Sequence, residues 1–533
     1  MGWRKVDENP ERRTLIICSN PLSISSLSNP INPLIKQSLS TTLINYVGVL
    51  LGIVSTIWIY PRDFALYGSY GFLTNLASVL APFVSLGFGA VLIKFIPYFQ
   101  YNSRKEFLRF VAKGVLSGIV LFIVAFGLFY NGIVQYQTEK NQSIVPLIPF
   151  ILPLTILYVC FECLNSYSLT KFKMVIPSIL SSGMKIILPI LFLLTLSNRI
   201  DSMQFIFGII IYYFFANVVL FLTLLVPNKN LNGALAIEDL QGTLPGNKEM
   251  LNFALFSIIG GVGSVLALRI DSIFIGSFLG TEANGQFTLA YFISNASYIP
   301  ANAISDILNP KISFLSKAKD EVNLLRTYRS STINMLIPSL WTCLGLALCF
   351  PYLAQLMPNS SQVKLIFPSL LFLLSSRLVD AITGTNHFVL IYSKFYRLET
   401  YLMIIMALLN IAMSYFLIPL AGIAGAAIAT CISVSIFNIA KSFLVFSLLK
   451  LQPFGKTHLV LILIALACFL LTTLLPDLHD PLFTLLYKAV VFSLLYFIPL
   501  IKYKISEEFN ELLYQLLDRL MNLVGIRKEN MMK

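Results

Sequence analysis

Long apolar runs alternate with short polar gaps along almost the whole chain. The runs cover 39–60, 69–99, 107–130, 144–165, 171–196, 203–226, 250–279, 283–308, 330–356, 361–392, 398–417, 420–450, 457–475 and 482–503. Each is about twenty residues or longer, enough to cross a bilayer core of about 30 Å. In lipid, every backbone N–H and C=O must be satisfied within its own segment, so fourteen runs predict fourteen transmembrane helices. A closed barrel would need short segments of alternating hydrophobicity, and the chain has none. The division near Pro419 is the least marked, since two runs meet there with almost no loop.

Composition agrees with this pattern. The 533 residues are 57% hydrophobic and 12% charged, with a mean hydropathy of +0.79. A soluble domain carries about 25% charged residues. The cations are not spread evenly. Lys and Arg cluster at the amino terminus (Arg4, Lys5, Arg12, Arg13, Lys36) and then in every second gap. Examples are Lys94, Arg104, Lys105 and Arg109; Lys311, Lys317, Lys319, Arg326 and Arg329; Lys441, Lys450 and Lys456; and Lys502 and Lys504. The intervening gaps hold only Arg62, Lys140, Arg199 and Lys364. By the positive-inside rule both termini are expected in the cytoplasm of a bacterial inner membrane. The net charge of +13 is then loop charge facing anionic lipid. No basic patch interleaved with base-stacking aromatics points to nucleic acid.

The polar stretches suggest an organisation. Residues 1–38 form a cytoplasmic amino-terminal segment without the apolar core and cleavage site of a signal peptide. Within it, residues 1–18 read as disordered or as an over-long start. Residues 39–226 form an amino-terminal lobe of six helices. A polar linker covers 227–249, a second six-helix lobe 250–450, and two further helices 457–503. Leu512, Leu516, Leu520 and their neighbours recur at helical spacing in 504–533, as expected of an amphipathic helix on the membrane surface. Tyr67-Gly68-Ser69-Tyr70 and Asn284-Gly285-Gln286-Phe287 open corresponding long spans of the two lobes, each span containing proline. A parallel repeat of this kind suits alternating-access transport.

Soluble-enzyme chemistry has no foothold. There is no phosphate-cradling loop with Lys, and His387, His458 and His479 are too scattered for a metal site. No cofactor and no catalytic residue is called for, and the outer gaps are too short for a glycan polymerase domain. Cys160 and Cys163 have redox-motif spacing but lie in an apolar helix, where they read as packing residues.

Ionisable residues inside the runs are the informative set, because a mid-bilayer charge costs several kcal/mol unless it meets a cavity or a partner. Lys185, Arg269 and Arg377 are candidates for a cationic substrate cavity. Asp271 and Asp380 are candidates for ion coupling, and Glu162 and Asp306, nearer span ends, are weaker ones. Arg377 and Asp380, three apart, share a helix face and can pair. Arg269 and Asp271, two apart, point in different directions, so at least one needs a partner on another helix or in water. Structural ion pairing is the alternative reading for Lys185, Arg269, Asp271, Arg377 and Asp380, and interfacial snorkelling or helix capping the alternative for Glu162 and Asp306. Tyr46, Asn75, Tyr291, Asn295, Asn386 and Asn410 read either as cavity lining or as helix-interface residues.

Several stretches resemble Wzx-type polysaccharide flippases of the multidrug/oligosaccharidyl-lipid/polysaccharide (MOP) exporter superfamily. They are Asn45-Tyr46-Val47-Gly48 through Tyr60-Pro61, then Tyr67-Gly68 and Ser85-Leu86-Gly87. Further along they are Asp271-Ser272-Ile273-Phe274-Ile275-Gly276, Asn284-Gly285-Gln286-Phe287 and Gly422-Ile423-Ala424-Gly425. The resemblance implies an all-α, two-lobed transporter rather than an enzyme. It would flip an undecaprenyl-diphosphate-linked oligosaccharide (an O-antigen, capsule or exopolysaccharide unit) outward, coupled to H+ or Na+. It also implies membrane lipids and glycan polymerases as partners. A lipid II flippase and a multidrug exporter are the alternatives within the superfamily. The first span holds none of the early arginines expected of the lipid II branch, and two helices beyond twelve favour a lipid-linked substrate.

Overall fold

The computed structural model describes residues 31–99, 101–171, 173–225, 246–503, 505, 506 and 511. The expectations for residues 1–30, for most of the linker and for most of the tail lie outside these residues. The described chain is helical throughout. The first lobe contains α1 (Ile31–Trp58), α2 (Phe64–Val84), α3 (Phe88–Phe95), α4 (Tyr101–Lys140), α5 (Ile148–Thr170), α6 (Val175–Leu196) and α7 (Ser202–Leu225). The second begins with α8 (Asn247–Leu279), α9 (Thr281–Ser297), α10 (Ile299–Lys317), α11 (Glu321–Leu356) and α12 (Ser360–Leu365). It continues with α13 (Phe367–Thr383), α14 (Asn386–Ile391) and α15 (Tyr396–Leu449), and α16 (Lys456–Thr473) and α17 (Pro481–Lys502) follow.

All fourteen apolar runs fall on helix, but the helices are cut differently from the runs. Among the described residues, eight helices are long and apolar enough to cross a membrane, or nine if α2 and α3, bent by 61°, count as one span. The second run breaks into α2 and α3, the eighth into α9 and α10, and the tenth into α12, α13 and α14. Conversely, the eleventh and twelfth runs appear together as α15, 54 residues long with Pro419 inside and Gly422 at φ 59°. Gly422 turns the chain back on itself. A Cβ on Gly425 would lie 2.0 Å from the Leu417 carbonyl oxygen, a contact no continuous helix makes. A left-handed φ costs an L-residue about 1 kcal/mol or more, so glycine is the residue that permits this hairpin.

Large apolar side chains face outward as well as inward. Leu420 is 82% exposed, Leu128 77% and Phe256 75%, an outer surface suited to lipid rather than water. Inside, one core joins α2, α5, α6 and α7 around Phe72, Leu154, Phe192 and Phe205. A second joins α8, α9, α11, α13 and α15 around Phe287, Phe350 and Leu373. Helices α16 and α17 pack on α11 through Leu336, Leu461 and Tyr496.

Two of the contacts between the lobes among the described residues bear on the helix spacing. At one, α2 and α9 touch backbone to backbone. A Cβ on Gly68 would lie 1.7 Å from the Thr281 carbonyl oxygen, and one on Gly285 would lie 2.0 Å from that of Phe64. The two glycines of the repeated sequence motif therefore face each other across the lobe boundary, as small residues do where membrane helices pack closely. Nearby, the Asn359 side chain donates to the carbonyls of Pro61 (2.8 Å) and Arg62 (3.1 Å). At the other place, the start of α8 lies against α3, with the Lys94 ammonium 3.9 Å from the centre of the Phe253 ring.

The fixed position of these backbones gives a first test. Gly68→Ala cannot be absorbed by a side-chain rotation, because the clashing atoms are main chain. It should hold α2 and α9 apart, with overpacking costing about 1–3 kcal/mol or more. Spin labels at Arg62 and Lys364 should report a longer, broader distance distribution in the variant than in the parent. An unchanged distribution would show that the contact does not set the spacing.

A second test concerns α17. Lys488, buried, donates to Asp477 at 2.5 Å and to the Tyr352 hydroxyl at 2.9 Å. The Tyr352 hydroxyl also donates to Asp477 at 2.6 Å, and the bonds from Lys488 first and then Tyr352 hold the exposed Asp477 carboxyl below its ordinary range. A depressed folded pKa contributes stability above the unfolded value, about 3.9, that is lost as pH falls through the folded value. The melting temperature of the parent should therefore fall more steeply than that of Asp477→Asn as pH drops below about 4. Parallel curves would contradict it.

Candidate functional site

The intramembrane charges lie in three settings, and each is set by helix rotation. Arg269 and Asp271 leave α8 in different directions. Arg269 is exposed and donates to the Asn75 side chain of α2 at 3.0 Å, across the lobe boundary. The Asn75 amide donates onward to the Ser272 hydroxyl at 2.8 Å, which donates to Asn284 at 2.6 Å. Asn284 in turn donates to the Gly68 carbonyl at 2.8 Å. One hydrogen-bonded chain thus runs from an accessible guanidinium to the glycine contact of α2 and α9. Each member uses its donor and acceptor in sequence, so none is left buried without a partner.

Asp271 points the other way, into α15, and is 3% exposed. It accepts from Thr430 at 2.5 Å, from Ser414 at 2.8 Å and from Asn410 at 3.3 Å to both oxygens. Asn410 and Ser414 stand on one arm of the Gly422 hairpin and Thr430 on the other, so the turn-back builds this cage. Among the described residues no Lys or Arg pairs with Asp271. A buried carboxylate without a cation is costly, and hydrogen bonds to a charged group offset that by about 1.5–3 kcal/mol each.

The third setting joins α13 and α15. Arg377 and Asp380 pair at 3.2 Å. Asp380 also accepts from the Asn438 amide at 2.7 Å, and the Arg377 guanidinium lies 5.9 Å from the centre of the Tyr291 ring of α9. The Arg377 Nε–H is buried and has no partner among the described residues. Lys441, which the apolar pattern groups with a cytoplasmic gap, is instead 5% exposed on α15. Asp380 and Glu399 lie within its electrostatic reach. Glu399, also buried, meets His387 at 2.7 Å.

The remaining candidates stand apart from these groups. Lys185 on α6 packs against Gly48 of α1, where a Cβ would lie 3.1 Å from its Cδ. Among the described residues it makes no ion pair. Glu162 is exposed on α5, in the interior of the helix rather than at a capping position, and lies within electrostatic reach of Tyr158 and Tyr213. Asp306 is exposed on α10. Asn295 donates to the Tyr291 carbonyl at 3.0 Å, and Asn386 to Ser442 at 3.4 Å. The Tyr46 side chain lies outside the described residues. No cluster of three metal-binding side chains occurs among the described residues.

Sequence reasoning missed Ser414, Thr430, Asn438, Glu399 and Lys441. The spacing of Asn410 and Ser414, four apart on one helix face, was the available signal. The link to Thr430 depends on the Gly422 reversal, which hydropathy does not report. Apart from these charges, a cavity of ≈ 430 Å³ opens between α1, α9, α11 and α17, lined by Ile53, Phe292, Trp341, Leu353 and Phe492 among others. Its walls are apolar.

Two helical lobes, close backbone packing between them, and polar groups gathered along their boundary define a multi-pass membrane protein with the fold of MOP-superfamily transporters. The solved structures with this fold include a lipid II flippase, MurJ, in an inward closed conformation (TM-score 0.69, 17% identity, covering 88% of this chain and 99% of that one). They also include a multidrug resistance MATE family transporter of the MOP superfamily in an inward-facing conformation (TM-score 0.56, 13% identity, 74% and 92%). No protein-family model matches the sequence, and neither does a curated protein.

The Asp271 cage separates two roles experimentally. Asp271→Asn keeps the shape and removes the charge. If the carboxylate serves ion coupling, transport should be lost while the melting temperature holds or rises, since an unpaired buried charge is gone. A fall of several degrees with loss of the protein from the membrane would mark Asp271 as a packing residue.

Proposed function

We propose that the protein is a flippase for a polyprenyl-diphosphate-linked oligosaccharide, an O-antigen, capsule or exopolysaccharide unit. It would carry the head group from the inner to the outer leaflet of the bacterial cytoplasmic membrane. The observation that carries this reading is an accessible cation on the lobe boundary, Arg269, in a protein that also holds an apolar cavity between α1, α9, α11 and α17. A glycan dragged through hydrocarbon loses several kcal/mol for each unpaired hydroxyl. A polar passage between the lobes would remove that cost, and the apolar cavity would accept part of a polyprenyl chain. The residue pattern that resembles Wzx-type flippases supports the same substrate class.

Asp271 is the residue we assign to coupling. Its three hydroxyl and amide neighbours can turn their oxygens toward a small cation, because hydroxyls donate or accept according to need. A proton on the carboxylate would serve the same purpose. Either event removes a buried negative charge shared between α8 and both arms of the α15 hairpin. Arg377 and Asp380, with Asn438, form a second charged group in the same lobe, and Lys185, Arg269 and Arg377 supply positive charge for the diphosphate-linked head group as a whole. Lipid II, the substrate named for one of the similar folds, also fits this geometry.

Deleting the gene should leave lipid-linked oligosaccharide on the cytoplasmic face and deplete surface glycan, with Arg269→Gln reproducing much of the defect at normal protein levels. Accumulated lipid II with loss of wall synthesis would instead identify the lipid II reading. Normal surface glycan with heightened sensitivity to lipophilic cations would overturn the proposal in favour of drug export.

A further inference from the structure

Four tyrosines of the first lobe gather where it faces Arg269. They are Tyr70 on α2, Tyr158 on α5, and Tyr212 and Tyr213 on α7, all half-buried. The rings of Tyr158 and Tyr213 have centres 6.1 Å apart at 54°, and those of Tyr212 and Tyr213 6.1 Å apart at 78°. Tyr212 is anchored, since its hydroxyl donates to the Leu180 carbonyl. The hydroxyls of Tyr70, Tyr158 and Tyr213 make no hydrogen bond among the described residues. Glu162, one helical turn beyond Tyr158 on the same face, is exposed and lies within electrostatic reach of Tyr158 and Tyr213. Arg269 is within reach of Tyr70 and Tyr158.

We propose that this cluster is a sugar-binding site, which holds one neutral pyranose ring of the transported head group. The inference rests on the flippase reading and specifies which part of the substrate the first lobe holds. A pyranose has a C–H face that packs on aromatic rings and a rim of hydroxyls that both donate and accept. Tyr158 and Tyr213 offer tilted ring faces with polar edges, the two-sided chemistry that suits such a ligand. Their free hydroxyls and that of Tyr70 can donate or accept, Glu162 only accepts, and Arg269 only donates. Convergent polar groups on an apolar wall are the usual composition of a small-molecule site.

The charges argue against other occupants. A diphosphate placed here would meet Glu162, and a lipophilic cation would meet Arg269, while neither needs three two-way hydroxyls. The diphosphate is then left to cations elsewhere on the boundary, and the sugar occupies the tyrosine wall. No single tyrosine would stand out in the sequence, because the four lie on three helices and converge only through packing.

The test uses the full chain in nanodiscs and saturation-transfer NMR with three probes: a panel of neutral hexose glycosides, inorganic pyrophosphate and tetraphenylphosphonium. The parent should transfer saturation to ring C–H protons of at least one glycoside. Tyr158→Phe with Tyr213→Phe keeps both rings and should weaken that binding about 3- to 10-fold per hydroxyl lost, at an unchanged melting temperature. Glu162→Gln, which alters no packing, should weaken it separately. Glycoside binding that is equal in the parent and in all variants, with substrate flipping intact in cells, would overturn the sugar site and leave the flippase reading standing. Tetraphenylphosphonium bound at the cluster, with no glycoside bound, would overturn both.

Discussion

The backbone contact of α2 with α9 is the constraint on which the rest of the structure depends. Gly68 and Gly285 bring two helices so close that a single methyl group on either would strike main-chain atoms. The Asn284 amide then ties the seam with a bond to the Gly68 carbonyl. From that bond the chain through Ser272 and Asn75 reaches Arg269, so the charge that faces the boundary is linked to the contact that closes it. A substrate that engages Arg269 competes with Asn75 for its donors, and so acts on the seam at a distance through ordinary hydrogen-bond exchange.

The buried carboxylate of Asp271 belongs to the same stretch of α8, on the opposite side of the helix. Its partners come from both arms of the Gly422 hairpin, so its charge state bears on how α8 and α15 pack. Arg269 and Asp271 are two residues apart, yet one faces the other lobe and the other faces the interior of its own. In the proposed reading, substrate and coupling ion would act on opposite faces of a single helix. In the low dielectric of a membrane protein neither group can be left unpaired cheaply, which makes the helix sensitive to both.

Much of the fold could be read from the chain because it follows from one rule, that backbone in lipid must bond to itself. The fourteen apolar runs, the all-helical class and the paired Tyr67-Gly68 and Asn284-Gly285 motifs were visible on that basis. The breaks were less visible. Hydropathy sees a continuous run at 283–308, whereas Pro300 follows a helix boundary at Tyr298. It separates two runs near Pro419, whereas the turn falls at Gly422. The candidate site was legible as a list of charges but not as groups. Local spacing foretold the pairing of Arg377 with Asp380. The partners of Arg269 and Asp271 lie more than a hundred residues away and are fixed by packing. Lys441 was misplaced because a lysine near a span end reads as loop charge until its burial is known.

The central claim is that the lobe boundary conducts a lipid-linked glycan. Purified protein in sealed vesicles loaded on one leaflet with a polyprenyl-diphosphate-linked oligosaccharide tests it most directly, with an impermeant glycosidase reporting the leaflet. The account predicts that the protected glycan becomes cleavable in a time course that depends on the ion gradient and disappears in Gly68→Ala vesicles. Glycan that stays protected with active parent protein, while a lipophilic cation crosses the same vesicles, would contradict it.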